Sequence, residues 1–301
     1  ERRFDYTDNC STEHTRLGAR GWLVGWNFAR FEIWDAIRAI DYVVTRPEID
    51  MTRLGVMGTS GGGTQSAYLQ ALDDRITVAF PNCFVSSVRA VFGERGCHDA
   101  EQFFFNQLNV GVNHAAMLAM GAGRVALATG SRWQDYFPHR GAAETFAVYS
   151  NLWSRLQTSR TSQTFQTFPP WHFSCDGPHG LPASTRAAQL DWMLANLASG
   201  ARPRPRADYR ALDPSPTTDA ANTAKLAFAA EDSFFTKTRQ VRDRKGFKSL
   251  YALIAERAKT LKGKRGFKTR EELREIVRRR AGIRSLGGRT EDERRETGER
   301  T

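Results

Sequence analysis

Residues 53–69, RLGVMGTSGGGTQSAYL, hold the reading on which the fold turns. Leu54 to Met57 is a short apolar run. The chain then bends through Gly58, Gly61, Gly62 and Gly63 around Ser60, and a helix-like pattern follows. Two chemistries use a glycine-rich turn between a strand and a helix. One cradles a phosphate, which requires G-x-x-x-x-G-K-[ST] with a lysine reaching the anion. No lysine occurs in 53–75, and G-x-G-x-x-G does not fit either. The other holds a serine out as a nucleophile. Gly58-Thr59-Ser60-Gly61-Gly62 matches G-x-S-x-G between a predicted strand and a predicted helix. In that reading Gly58 and Gly62 form the elbow, because a Cβ at either is expected to strike neighbouring backbone. The Gly61 N–H and the positive end of the helix dipole face the developing oxyanion. The plain alternative is a glycine-rich connection with an idle serine.

A serine needs a base, and the base needs an orienting acid. In a strand–elbow–helix architecture these follow in the order Ser, Asp or Glu, His. The flanking pattern supplies the strands. Ile33, Ile37, Ile40 and Val44 mark one face of a helix over Phe28–Thr45, stopped by Pro47. Leu54–Met57 reads as a strand, Gly61–Leu72 as a helix, Ile76–Phe80 as a second strand and Arg124–Thr129 as a third. A helix follows over 142–157, then a fourth strand over Gln163–Phe168 and a helix over 184–198. Residues 1–20 show no clear period. Alternating strands and helices imply a mostly parallel sheet with functional loops at its carboxyl edge.

Asp135 follows the third strand in a turn context and is the expected acid, with Glu144, inside the next helix, as its rival. His179, in GPHG before the last helix, is the expected base. His172 lies between aromatics, where packing is the simpler role, and Asp176 is too near His179 along a turn to orient it. His98, Asp99, Glu101 and His114 fit no metal-ligand spacing, so no metal and no cofactor is expected. Segment 84–123 reads as a lid or pocket wall, with Phe103–Phe105 either lining an apolar pocket or packing, and packing preferred.

With these residues in place, the sequence resembles the α/β-hydrolase superfamily, in its acetyl-xylan-esterase-like and prolyl-oligopeptidase-like branch. The likeness lies in EIWDAIRAIDYVVTRPEIDMTRLGVMGTSGGGTQSAYLQALDDRI, GCHDAEQFFFNQL, SRWQDYFPHRG and DGPHG, within about residues 10–200. It implies an α/β-hydrolase fold and a Ser60, Asp135, His179 triad acting on an ester or a peptide. Only about fifty residues precede the elbow strand, and no HGGG-like stretch offers a second oxyanion donor. An N-terminally incomplete fragment is therefore expected, with a non-catalytic remnant as one alternative and a serine peptidase as another.

Composition bounds the rest. The chain has 301 residues and 40% hydrophobic content, enough for a core. Its net charge of +11 is uneven: residues 1–200 carry −1 and residues 201–301 carry +12. The expected organisation is a hydrolase domain over 1–200, a Pro/Arg-rich linker over 201–218, a basic helical segment over 219–285 and a disordered end over 286–301. Helices are expected over Ser249–Leu261 and from the capping box Thr269–Glu272, with Leu273, Ile276 and Val277 as a stripe. Acids interleave the basic residues at helical spacing, so a solvated face is preferred to nucleic-acid binding. The expected partner is a small-molecule or carbohydrate ester. Four scattered cysteines exclude a disulfide framework, and no apolar run approaches a membrane span. Localisation is open, since any targeting segment would precede Glu1.

Overall fold

The computed structural model describes residues 10–94, 98–104, 106–107, 109–158, 169–198, 209, 245–264, 266 and 269–281. Four strands, β1 (Leu54–Thr59), β2 (Ile76–Asn82), β3 (Ala126–Gln134) and β4 (Trp171–Pro178), form one sheet in sequential order with every pairing parallel. Helices α1 (Cys10–Leu23) and α2 (Ala29–Val43) precede β1. Helix α3 (Gly61–Leu72) joins β1 to β2, and α4 (Val88–Glu94) and α5 (His114–Ala119) lie between β2 and β3. Helix α6 (His139–Thr158) crosses from β3 to β4, and α7 (Ala183–Leu197) follows β4. Two further helices, α8 (Leu250–Lys264) and α9 (Arg270–Ala281), lie near the C-terminus.

Side chains alternate across the sheet and fill two cores, as a parallel sheet covered on both faces requires. On β3, Ala126 and Ala128 face one core with Val78, Phe80, Phe173 and Trp192, while Leu127 faces the other with Phe84, Leu118, Phe137 and Tyr149. Phe80, Phe84 and Phe173 have no exposed surface, and burial of each contributes about 1.5–3 kcal/mol. Helix α3 packs on β1, β2, α2 and α5, so most of its circumference is buried. Its polar residues are bonded accordingly: Ser66 Oγ donates to Gly62 O at 2.7 Å, and Gln70 Nε2 donates to Met117 O at 3.0 Å. Arg75 ties the end of α3 to α2 by bonding Asp73 and Asp41.

Several sequence expectations need correction. The polar N-terminal stretch contains a helix, α1. Its buried face includes Gly18, where a Cβ would sit on that of Ala100, so no large apolar residue marks the period. Strand β3 runs on through Gly130–Gln134. Polar Ser131 and Arg132 are buried there because His139, His172, the Pro178 carbonyl and Cys175 take up their hydrogen bonds. The expected strand Gln163–Phe168 lies outside the described residues, and the fourth strand is Trp171–Pro178. Its terminal proline is tolerated because, among the described residues, β4 pairs on one edge only. The capping box at Thr269 forms as expected, with Thr269 N donating to Glu272 Oε2 at 2.7 Å and Glu272 N donating to Thr269 Oγ1 at 3.1 Å. The stripe it starts is not buried, since Leu273 is 51% exposed, and the side chain of Val277 lies outside the described residues. The end segment 286–301 also lies outside them.

Two histidines of segment 84–123 are packed inside it. His98 lies among Phe103, Tyr136 and Phe137, and His114 accepts the Ser86 N–H at Nδ1, 3.0 Å. Burial lowers both, His98 to about 3 and His114 to about 4. Unfolded histidine takes up its proton near pH 6.5. From there down to about pH 4 and pH 3 the unfolded chain therefore binds more protons, and stability falls as pH falls. Each histidine contributes a slope of about 1.4 kcal/mol per pH unit in that window. Denaturant unfolding of His98→Phe between pH 6.5 and 4.5 should show a shallower acid loss than the parent chain, and equal slopes would refute this account.

Candidate functional site

The parallel order brings four loops to one edge of the sheet, and the residue immediately after each strand carries a chemically useful side chain. Ser60 follows β1, Cys83 follows β2, Asp135 follows β3 and His179 follows β4.

Ser60 adopts φ 59° and ψ −123°, a region that non-glycine residues rarely occupy. The turn is held from both sides: Ser60 N–H donates to Asn82 O at 3.0 Å, and Thr64 N–H donates to Ser60 O at 2.9 Å. Glycine at 58 is required, because a Cβ there would meet the Gly62 backbone. The expectation that Gly62 is needed for the same reason is corrected. Space is open around a Cβ at Gly62, and also at Gly61, whereas one at Gly63 would meet the Asn82 carbonyl. The close approach therefore comes one residue later, where α3 first passes over the end of β2.

His179 and Asp135 are in contact, His179 Nδ1 lying 2.7 Å from Asp135 Oδ1. The Asp135 side chain is fully buried, and that of His179 is 36% exposed. Burial acts to raise the Asp135 pKa, but hydrogen bonds from His179, Cys83 and the Phe137 N–H outweigh it and hold the carboxyl below its usual range. Phe137 lies beside His179 with ring centroids 6.0 Å apart and the rings tilted by 34°. The rival residues lie elsewhere. Glu144 accepts from Ser87 Oγ, and Asp176 accepts from Gln134 Nε2 and its neighbour Gly177 N–H. His172 sits within β4, bonded to Thr129 and Ser131 hydroxyls at 2.8 and 3.1 Å.

Asn82 and Cys83 were not singled out from the sequence. Asn82 Nδ2 reaches Thr59 Oγ1 at 3.0 Å and Gly180 O at 3.4 Å, so it braces the serine turn against the histidine loop. Cys83, at φ 51°, bonds Asp135 and lies 3.5 Å from Gly180 O, and burial followed by the Asp135 charge pushes its thiol far up. The legible signal was a polar pair, Asn-Cys, closing the apolar run ITVAFP. Arg132 supports the same loop from below, with Nε donating to Pro178 O at 2.7 Å.

Among the described residues, two groups of metal-ligating side chains come together: Cys83, Asp135 and His179, and His14, Asp99 and Glu101. His98 and His114, considered from the sequence with Asp99 and Glu101, instead stack on each other with centroids 6.3 Å apart. No described helix is long and apolar enough to cross a membrane.

Sequential parallel strands, helices on both faces and a serine on a strained strand-to-helix turn define the class: the fold is that of the α/β-hydrolases, of which the described residues supply four strands. No family model matches the chain. A stretch of 51 residues is 39% identical to "Putative hydrolase YtaP" of Bacillus subtilis (strain 168), covering 17% of this chain and 17% of that protein. Among solved structures, the glucuronoyl esterase catalytic domain of Hypocrea jecorina aligns at 16% identity and TM-score 0.47 over 60% of this chain and 54% of that one. A glucuronoyl esterase from Solibacter usitatus aligns at 19% identity and TM-score 0.44, over 57% and 49%. Methylesterase BT1017 aligns at 21% identity and TM-score 0.45, over 60% and 40%. The chain thus spans about half the length of these glucuronoyl esterases.

Proposed function

We propose that the chain is a serine hydrolase acting on a carboxylic ester. The single observation that carries this reading is the buried Asp135–His179 pair at 2.7 Å, standing on the same sheet edge as the strained Ser60 turn. The stretch shared with a protein named as a hydrolase supports it. In this mechanism neutral His179, oriented by Asp135, takes the Ser60 proton at Nε2 as Oγ attacks the ester carbonyl. The Gly61 N–H at the start of α3 stabilises the oxyanion. His179 then returns the proton to the leaving alcohol, and water, deprotonated by the same imidazole, releases the acid from the acyl-enzyme. Neither metal nor cofactor takes part. A small acetyl ester, such as an acetylated sugar, is the proposed substrate, with a peptide as the second reading. A panel of short-chain nitrophenyl esters set against a peptide anilide tests it. Ester turnover without anilide cleavage is expected. Anilide cleavage alone would favour the peptidase, and no turnover of either would favour the remnant.

A further inference from the structure

Away from the sheet edge, one imidazole sits among three carboxyl groups. His14, on α1, places Nδ1 2.9 Å from Glu101 Oε2 and Nε2 3.9 Å from Glu32 Oε1. Glu101 is only 2% exposed, and Asp99 brings a further carboxylate, the ligand atoms of His14, Asp99 and Glu101 lying within 4.8 Å of one another. Gln65 Nε2 fixes Glu32 from behind at 2.7 Å. Tyr68, 6% exposed, feels the charges of both Glu101 and Glu32, yet its hydroxyl has no hydrogen-bond partner among the described residues.

From this geometry we infer that His14, Asp99 and Glu101 form a binding site for a divalent transition-metal ion of the zinc type. Glu101 is buried and Glu32 largely so, and burying neighbouring carboxylates calls for a positive counter-charge. A divalent cation supplies that charge. An ion with arms of about 2.1 Å spans ligand atoms up to about 4.2 Å apart, so at most a small inward shift of these side chains closes the site around it. The ring orientation agrees. With Nδ1 on the ion, Nε2 faces Glu32 at 3.9 Å, the side from which an outer carboxylate orients a ligating histidine. The Tyr68 hydroxyl is then available to a ligand water. Position on the helix agrees as well, since Gly18 lies one turn beyond His14 and lets α1 approach Ala100, between the two acidic ligands. The ion would pin α1 to segment 84–123. The role is structural and does not depend on the hydrolase reading.

The test is zinc titration of the full chain after chelator treatment and dialysis, read by calorimetry and thermal unfolding. One ion per chain at micromolar affinity or tighter is expected, with the unfolding midpoint raised by several degrees at saturation. His14→Ala and Asp99→Asn should each weaken uptake about tenfold or more and remove most of that rise. Should His14→Ala fail to fold, Asp99→Asn alone carries the comparison. No uptake by the parent chain at 100-micromolar zinc (about that concentration suffices for a micromolar site) overturns the inference. So does undiminished one-ion uptake in the folded variants, which would locate the ion elsewhere, as at Cys83, Asp135 and His179.

Discussion

Ser60→Ala should abolish covalent labelling by a fluorophosphonate and lower ester turnover by about 10⁴–10⁶-fold. The reasoning is steric as much as chemical. The chain holds Ser60 at φ 59° although serine resists that conformation, and the hold comes from backbone contacts to Asn82 and Thr64 that the side chain does not make. Removing the hydroxyl therefore leaves the turn in place and deletes only the proposed nucleophile. The same logic separates activity from stability. Ser60→Gly should be equally inactive, yet more stable than the parent by about 1 kcal/mol, because glycine adopts positive φ freely. Labelling and turnover that survive Ser60→Ala would remove the nucleophile from its proposed role. A Ser60→Gly chain less stable than the parent would contradict the strain.

The second large effect is at Asp135. Asp135→Asn should reduce turnover by about 10³–10⁴-fold, chiefly in kcat, and slow fluorophosphonate labelling in parallel. Oδ1 faces both His179 Nδ1 at 2.7 Å and the Phe137 N–H at 3.0 Å, and the side chain is fully buried. The amide is nearly the same shape, so the packing survives. One of two losses follows. If the amide oxygen keeps the Phe137 bond, the negative charge that stabilises imidazolium is gone. If the amide turns its NH₂ toward His179, Nδ1 must accept, and the wrong tautomer faces the serine. Turnover within tenfold of the parent would mean that the pair is structural.

Much of this was legible because periodicity and turn chemistry are local. The strand–turn–helix at 54–72 announces itself through an apolar run, a cluster of glycines and a following helical pattern. Asp135 and His179, the two residues found in contact, could be located from the order of strands and turns. What could not be read is informative. Helix α1 buries Gly18 and Gly21 and half-buries His14 where an amphipathic helix is expected to bury leucine, so its period was invisible. Strand β3 continues through Ser131 and Arg132, whose polarity is satisfied only by side chains and carbonyls from α6 and β4. Gly63, rather than Gly62, makes the close approach, because the opposing atom is the Asn82 carbonyl on a neighbouring strand.

The division follows from range. Hydrophobic period, glycine in a bend and helix capping act within a few residues, and so the amino-acid sequence alone determined the α/β class, the elbow and the candidate nucleophile, acid and base. Which polar groups meet across the fold depends on strand register and on helices folding back over the sheet. Only the tertiary structure decided that Cys83 would touch Asp135, that Asn82 would brace two loops, and that His14 would meet Glu101, 87 positions further along the chain. Their partners are distant along the chain, and no local pattern encodes a contact whose energy depends on burial supplied by the rest of the molecule.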